Sequence, residues 1–237
     1  MILAVLGTLF MLLYKEKVSE QSYKPSEKAQ KYGGDKAVYK GIIRTPHFYL
    51  TIVCVFFTGG ILQGIYGVFP AYMKDTGLDP AYVALVVSIN SLALAVAKFM
   101  TGLIYDKCGL RFVANSCYIA AVVSILVLVF LANTGIGMAL AVIYAVVFSF
   151  ALPLQTVMLP FFSKDLFDPR AYNLILGLFV SISSVGFACA GPVMNYVFDI
   201  CGSYKSAFIV YGFIMTAAML YFQYEINASK QKKRNSC

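Results

Sequence analysis

Lys98 is the residue of this 237-residue chain whose type and place most demand a chemical reason. It stands inside a long apolar run, residues 81–105, among Leu, Ala, Val and Phe. An uncompensated cation at the centre of a bilayer costs from ~2.5 kcal/mol to more than ~10 kcal/mol. No acidic residue sits in any apolar run at matching depth. Its counter-charge is therefore a bound anion, unless the Lys stem snorkels ~12 Å along the helix to the interface. Ser91, seven residues earlier, falls on nearly the same helical face, with Asn90 beside it. Gln63 and Gln155 are polar side chains of two other apolar runs. A cation with a hydroxyl on nearly the same face would hold a solute anion through charge-assisted hydrogen bonds. The plainer role of each neutral group is an interhelical hydrogen bond, typically worth ~0.6 kcal/mol.

Other chemistries lack their residues. There is no G-x-S-x-G, phosphate loop or H-E-x-x-H, and the single His, His47, precedes the first long run. Six Cys show no C-x-x-C or His spacing, which supports neither a metal site nor a disulfide framework. No enzyme and no cofactor is expected. The net charge of +8 comes from cations gathered between apolar runs, which argues against nucleic acid.

The elements that must carry these residues are transmembrane helices. With 60% hydrophobic residues, 13% charged and a mean hydropathy of +0.76, the chain is too apolar for a water-soluble domain. A helix needs about 20 residues to cross a bilayer, and six runs suffice: 48–72, 81–105, 112–132, 137–161, 172–198 and 206–226. They are continuously apolar, without the alternation of barrel strands. Residues 1–14 are apolar but too short to span unaided, and lack the pattern of a signal peptide. Residues 15–47 form a basic solvated linker, 48–226 the transmembrane domain and 227–237 a polar tail. Cations crowd into the linker, the turns holding Lys107, Arg111, Lys164 and Arg170, and the tail, whereas the alternate loops hold only Lys74 and Lys205. The linker and tail are thus expected in the cytoplasm. Tyr49, Tyr72, Tyr82, Tyr105, Tyr172, Tyr196, Tyr204 and Tyr221 stand near span ends, where they would serve as an aromatic belt.

The second run opens with Asp79-Pro80, passes Ser88 and closes at Asp106 and Gly109; the fifth opens with Asp168-Pro169, passes Ser181 and closes at Asp199 and Gly202. Their membrane faces are opposite, as two inverted three-helix repeats require; the plainer reading is that Asp-Pro is a common helix start and Asp-x-x-Gly a common helix exit. Gly60-x-x-x-Gly64 marks close helix packing, and Pro153, Pro160 and Gly191-Pro192 are expected to kink or break helices.

Gly102-Leu-Ile-Tyr-Asp106-Lys107-Cys-Gly109-Leu-Arg111 resembles the loop signature of the major facilitator superfamily, in the copy carried by its C-terminal half, with Leu110 where that family has a base. Asp199-Ile-Cys-Gly202 resembles that family's turn into its final helix. The resemblance covers 48–226 and implies half of a twelve-helix transporter, with residues 1–14 the end of a preceding helix and 15–47 the central loop. Gly102, Asp106, Lys107, Gly109 and Arg111 would then form a latch, Gly102 by close helix approach and Asp106 by pairing with Lys107 or Arg111. The spacing Lys98-x-x-x-Gly102-x-x-x-Asp106 is similar to that of monocarboxylate and oxalate/formate porters, where a cation meets the substrate carboxylate, and the resemblance implies that Gln63 and Gln155, in the first and fourth spans, are cavity walls. Expected partners are the lipid bilayer, a small organic anion, protons or a counter-solute, and a complementary N-terminal six-helix half or a second copy. The alternatives are a non-transporting subunit or inactive fragment, or a carrier of a neutral or drug-like solute.

Overall fold

A computed structural model describes residues 41–131 and 136–235, which are helical with no strand among them. The elements are α1 (Pro46–Asp75), α2 (Pro80–Leu131), α3 (Gly137–Ala151) with a 3-10 turn at Leu152–Gln155, α4 (Met158–Leu166), α5 (Tyr172–Cys201) and α6 (Lys205–Asn235). Segment 1–14 and the linker up to residue 40 lie outside the described residues.

Five helical runs are long and apolar enough to cross a membrane, α6 as far as Ala228. The longest, α2, contains two spans, because Gly109 at φ 77° and ψ 174° is non-helical within it. That conformation is open essentially to glycine alone. The turn expected after the second span is therefore a single residue, dividing arms 80–108 and 110–131, each sufficient for ~30 Å of hydrocarbon. The fourth span is α3 with its 3-10 turn, and six spans result.

The Asp-Pro and Gly positions mark helix ends at opposite sides. Asp79 Oδ2 accepts the Ala81 and Tyr82 N–H groups at 3.0 and 3.3 Å, while Asp168 Oδ1 accepts that of Arg170 at 2.9 Å, satisfying donors that a helix start leaves free. Gly202 closes α5 at φ 65°, its N–H on the Phe198 carbonyl at 2.8 Å.

Packing follows the inverted repeat. The first arm of α2 runs parallel to the fourth span and α4: Tyr82 Oη donates to the Met138 carbonyl at 2.8 Å, Asn90 meets Ala145 and Ser149, and Tyr105 stacks on Phe161 at 3.7 Å. α1 runs parallel to α5, with Gly59 against Ser183, Gly60 against the Gly186 carbonyl and Gly64 against Ala190. The second arm of α2 runs antiparallel to α6, through Tyr118 with Phe222 and Ile125 with Gly212. Exchanging spans one to three with four to six maps the first–fifth pair onto the fourth–second and the third–sixth onto itself.

Several expectations are corrected. Tyr72 and Tyr204 are buried rather than belted: Tyr72 Oη donates to the Leu128 carbonyl at 3.0 Å, and both rings pack on Phe208. Pro192 breaks nothing, since α5 continues through it, as α1 does through Pro70. Pro153 does interrupt its span, for α3 gives way to the 3-10 turn and Thr156 takes φ −129°, ψ −66°. Beyond its span, α6 continues as helix to Asn235, past the expected limit of 226.

Candidate functional site

Where the fourth span unwinds, it faces the middle of α1 and the first arm of α2. Together they line a cavity of about 110 Å³ whose walls are Gln63, Tyr66, Leu94, Lys98, Leu152, Gln155 and Thr156. Lys98 lies ~16 Å along the arm from the Gly109 break, is exposed, and makes no ion pair with any described residue. Gln155 Nε2 donates to Gln63 Oε1 across the cavity at 3.5 Å, a long contact. Two amides joined by one such bond keep N–H donors to spare. The cavity thus combines one ammonium, amide donors and the hydroxyls of Tyr66 and Thr156 over an apolar floor of Leu94 and Leu152. A small anion with a short apolar body suits it chemically.

Three of the five polar positions singled out in the sequence, Lys98, Gln63 and Gln155, meet at this cavity. Ser91 is exposed but outside the lining, its Oγ donating to the Val87 carbonyl at 3.0 Å. Asn90 turns the other way and is buried: its Nδ2 donates to the Ala145 carbonyl at 2.8 Å and to Ser149 Oγ at 3.0 Å, joining α2 to α3. Neighbouring helical residues point 100° apart, so Asn90 faces the interior while Ser91 does not. Tyr66 and Thr156 were missed as site residues. Their signal was spacing, Tyr66 three residues beyond Gln63 and Thr156 next to Gln155.

The latch positions do not close within the described residues. Asp106, Lys107 and Arg111 are exposed, and no described ion pair joins them. Asp106 ends one arm and Arg111 opens the next across the Gly109 turn. A Cβ at Gly102 would meet nothing within 4 Å, so Gly102 makes no close helix approach here. Gly60 and Gly64 do lie at a close crossing, that of α1 with α5, whereas Gly191 has open space beside it.

Arg170 pairs locally with Asp168 at 3.7 Å, whereas His47 and Glu225 link the first and last helices. His47 Nδ1 lies 2.7 Å from Glu225 Oε1. Tyr221 Oη is 2.9 Å from Glu225 Oε1, from the His47 carbonyl and from Thr51 Oγ1. This network stands beside a second cavity of about 570 Å³ lined by His47, Thr51, Asp168 and Glu225 among others. Its members sit near helix ends and far apart in sequence, so no short motif announces them.

Six apolar spans in two inverted triplets, with the cation Lys98 beside an interrupted helix, define a multi-pass membrane protein. The family model of the Major Facilitator Superfamily matches residues 1–160 and again 51–236, and the chain belongs to that superfamily. It is also similar to the Sialic acid transporter NanX of Escherichia coli (strain K12), 22% identical over 182 residues. That match covers 74% of this chain and 44% of the relative, so the chain spans less than half the length of the curated protein it matches.

Proposed function

We propose that the chain supplies the C-terminal six-helix half of a secondary transporter in the cytoplasmic membrane, carrying a small organic anion by alternating access. The observation behind this reading is the cation Lys98, without an acidic partner among the described residues, in one cavity with Gln63 and Gln155 at an interrupted span. Interrupted helices near mid-membrane are where carriers hold their solutes. The similarity to a sialic acid transporter is in keeping with an acidic solute, since sialic acids are sugar carboxylates. The remaining cavity wall comes from a complementary N-terminal half or from a second copy, and protons or a counter-solute drive the cycle. The linker and tail face the cytoplasm, in accord with their cations.

The test is anion binding by the complete transporter, probed with sialic acid and a panel of simpler carboxylates. Lys98→Gln removes a charged hydrogen bond and weakens binding by ~1.5 to 3 kcal/mol, roughly tenfold to 150-fold. Lys98→Arg keeps the charge with altered geometry and retains part of the affinity. Unchanged carboxylate affinity in a normally inserted Lys98→Gln protein would assign Lys98 to snorkelling and remove the case for an anionic solute.

A further inference from the structure

Directly behind the wall of the Lys98 cavity, the interior holds a further and much smaller void of about 10 Å³, bounded by Thr58, Gly59, Tyr118, Gln155 and Ser183. Gln155 borders both spaces. Its Oε1 and the Ser183 Oγ are buried, and neither has a hydrogen-bond partner among the described residues. Thr58 Oγ1 and Tyr118 Oη, on the same void, lie 3.3 Å apart and share one hydrogen bond, so one hydroxyl hydrogen remains to be given. Buried acceptors and hydroxyls are rarely left unsatisfied. A space of ~10–15 Å³ with two to four polar neighbours is what one internal water requires. Glycine keeps that room: a Cβ at Gly59 would stand 2.5 Å from Ser183 Oγ and 2.9 Å from Phe187 Cε1.

We propose that a single structural water occupies this void, donating to Gln155 Oε1 and bonded to Ser183 Oγ and the Thr58–Tyr118 pair. The water holds the Gln155 carbonyl inward, so that its amide N–H groups face Gln63 and the Lys98 cavity. Ser183, on α5 and outside the cavity lining, is thereby a positioning residue for the solute site. This assignment of Ser183 rests on the reading of the Lys98 cavity as that site; the water itself does not.

The experiment uses the full chain in lipid nanodiscs, labelled with 15N-glutamine, together with a structure at a resolution that shows ordered water. The wild-type density should contain one water between Gln155 and Ser183. Ser183→Ala removes the hydroxyl without adding bulk, and should shift the Gln155 side-chain amide resonances. Ser184→Ala, one exposed position along the same helix, should leave them in place. Carboxylate KM should rise several-fold in the Ser183→Ala complete transporter at unchanged kcat. No ordered density between the two groups, or Gln155 resonances unmoved by Ser183→Ala, overturns the water. A water present, with carboxylate KM indifferent to both Ser183→Ala and Lys98→Gln, overturns the solute-site reading instead.

Discussion

Replacing Gly186 by alanine tests whether the crossing of α1 and α5 holds this helical bundle together. A Cβ at Gly186 would lie 2.5 Å from the Phe56 carbonyl oxygen, 3.1 Å from the Gly60 nitrogen and 3.4 Å from the Phe56 carbonyl carbon, all atoms of the α1 backbone. No rotamer change can relieve a clash with backbone. Restoring ordinary contact of 3.4 Å at the worst of the three requires α1 and α5 to separate by ~0.9 Å. In lipid, helices associate through close packing rather than hydrophobic exclusion, so a separation of that size loses contact along the whole crossing, including Gly60 and Gly64. Overpacking of this kind costs ~1 to 3 kcal/mol. Alanine returns up to ~1 kcal/mol through its higher helix propensity. The net loss is then up to ~2 kcal/mol, while the gap to a glycine-to-alanine change with the same propensity gain and no clash is the full ~1 to 3 kcal/mol, or ~2 to 12 °C in melting temperature for a chain of this size. The assay is thermal unfolding followed by circular dichroism in detergent, with Gly102→Ala as control. That Cβ meets nothing within 4 Å, so the control should melt at or slightly above the wild type. Equal melting of Gly186→Ala and Gly102→Ala would refute the packing argument.

Asn90→Ala should cost ~1 to 2 kcal/mol through its lost bonds to Ala145 and Ser149, while carboxylate affinity stays at the wild-type value; weakened binding without a lower melting temperature would return Asn90 to the solute site. Gly109→Ala forces a side chain to φ 77°, ψ 174° and should cost ~1 to 3 kcal/mol. Gly202→Ala, at φ 65°, ψ 7°, enters the milder left-handed helical region and should cost ~1 to 2 kcal/mol. Melting curves should therefore rank Gly109→Ala below Gly202→Ala, and the reverse order would contradict the backbone argument.

Much of the fold is legible in one dimension because lipid leaves the backbone few options: an uninterrupted apolar run of spanning length must be a helix. Asp79 and Asp168 announce helix starts, and Gly109 and Gly202 helix ends, because capping is local chemistry. Partner choice is not local. Gly60-x-x-x-Gly64 signals a close approach, yet nothing in that motif names Gly186 as the surface approached. The Gly109 turn was equally hidden, since a charged loop and a one-residue reversal share the same composition. At the site, a polar residue in an apolar run is conspicuous, which is how Lys98, Gln63 and Gln155 stand out. Which face it occupies is less so, and Asn90 and Ser91 part company over a single helical step. His47 and Glu225 are ordinary polar residues near span ends until the folded helices bring them to 2.7 Å.

The inverted repeat also separates what supports the fold from what could do chemistry. Ser88, Asp106 and Gly109 recur as Ser181, Asp199 and Gly202 at one constant spacing. At that spacing Asn90 corresponds to Ser183, and both are buried polar residues at equivalent crossings, one facing the fourth span and the other facing α1. Gln63 and Gln155 fall within one residue of the same spacing and bond to each other, as a residue and its own counterpart can do only close to the two-fold axis relating the repeats. Lys98 breaks the pattern. Its counterpart is Gly191, with open space where a side chain would be. The charge therefore belongs to one repeat while the amides straddle both, so an anion held by Lys98 would sit off the axis against the first arm of α2. Its affinity should then follow the side chain at position 98 far more than the one at 191.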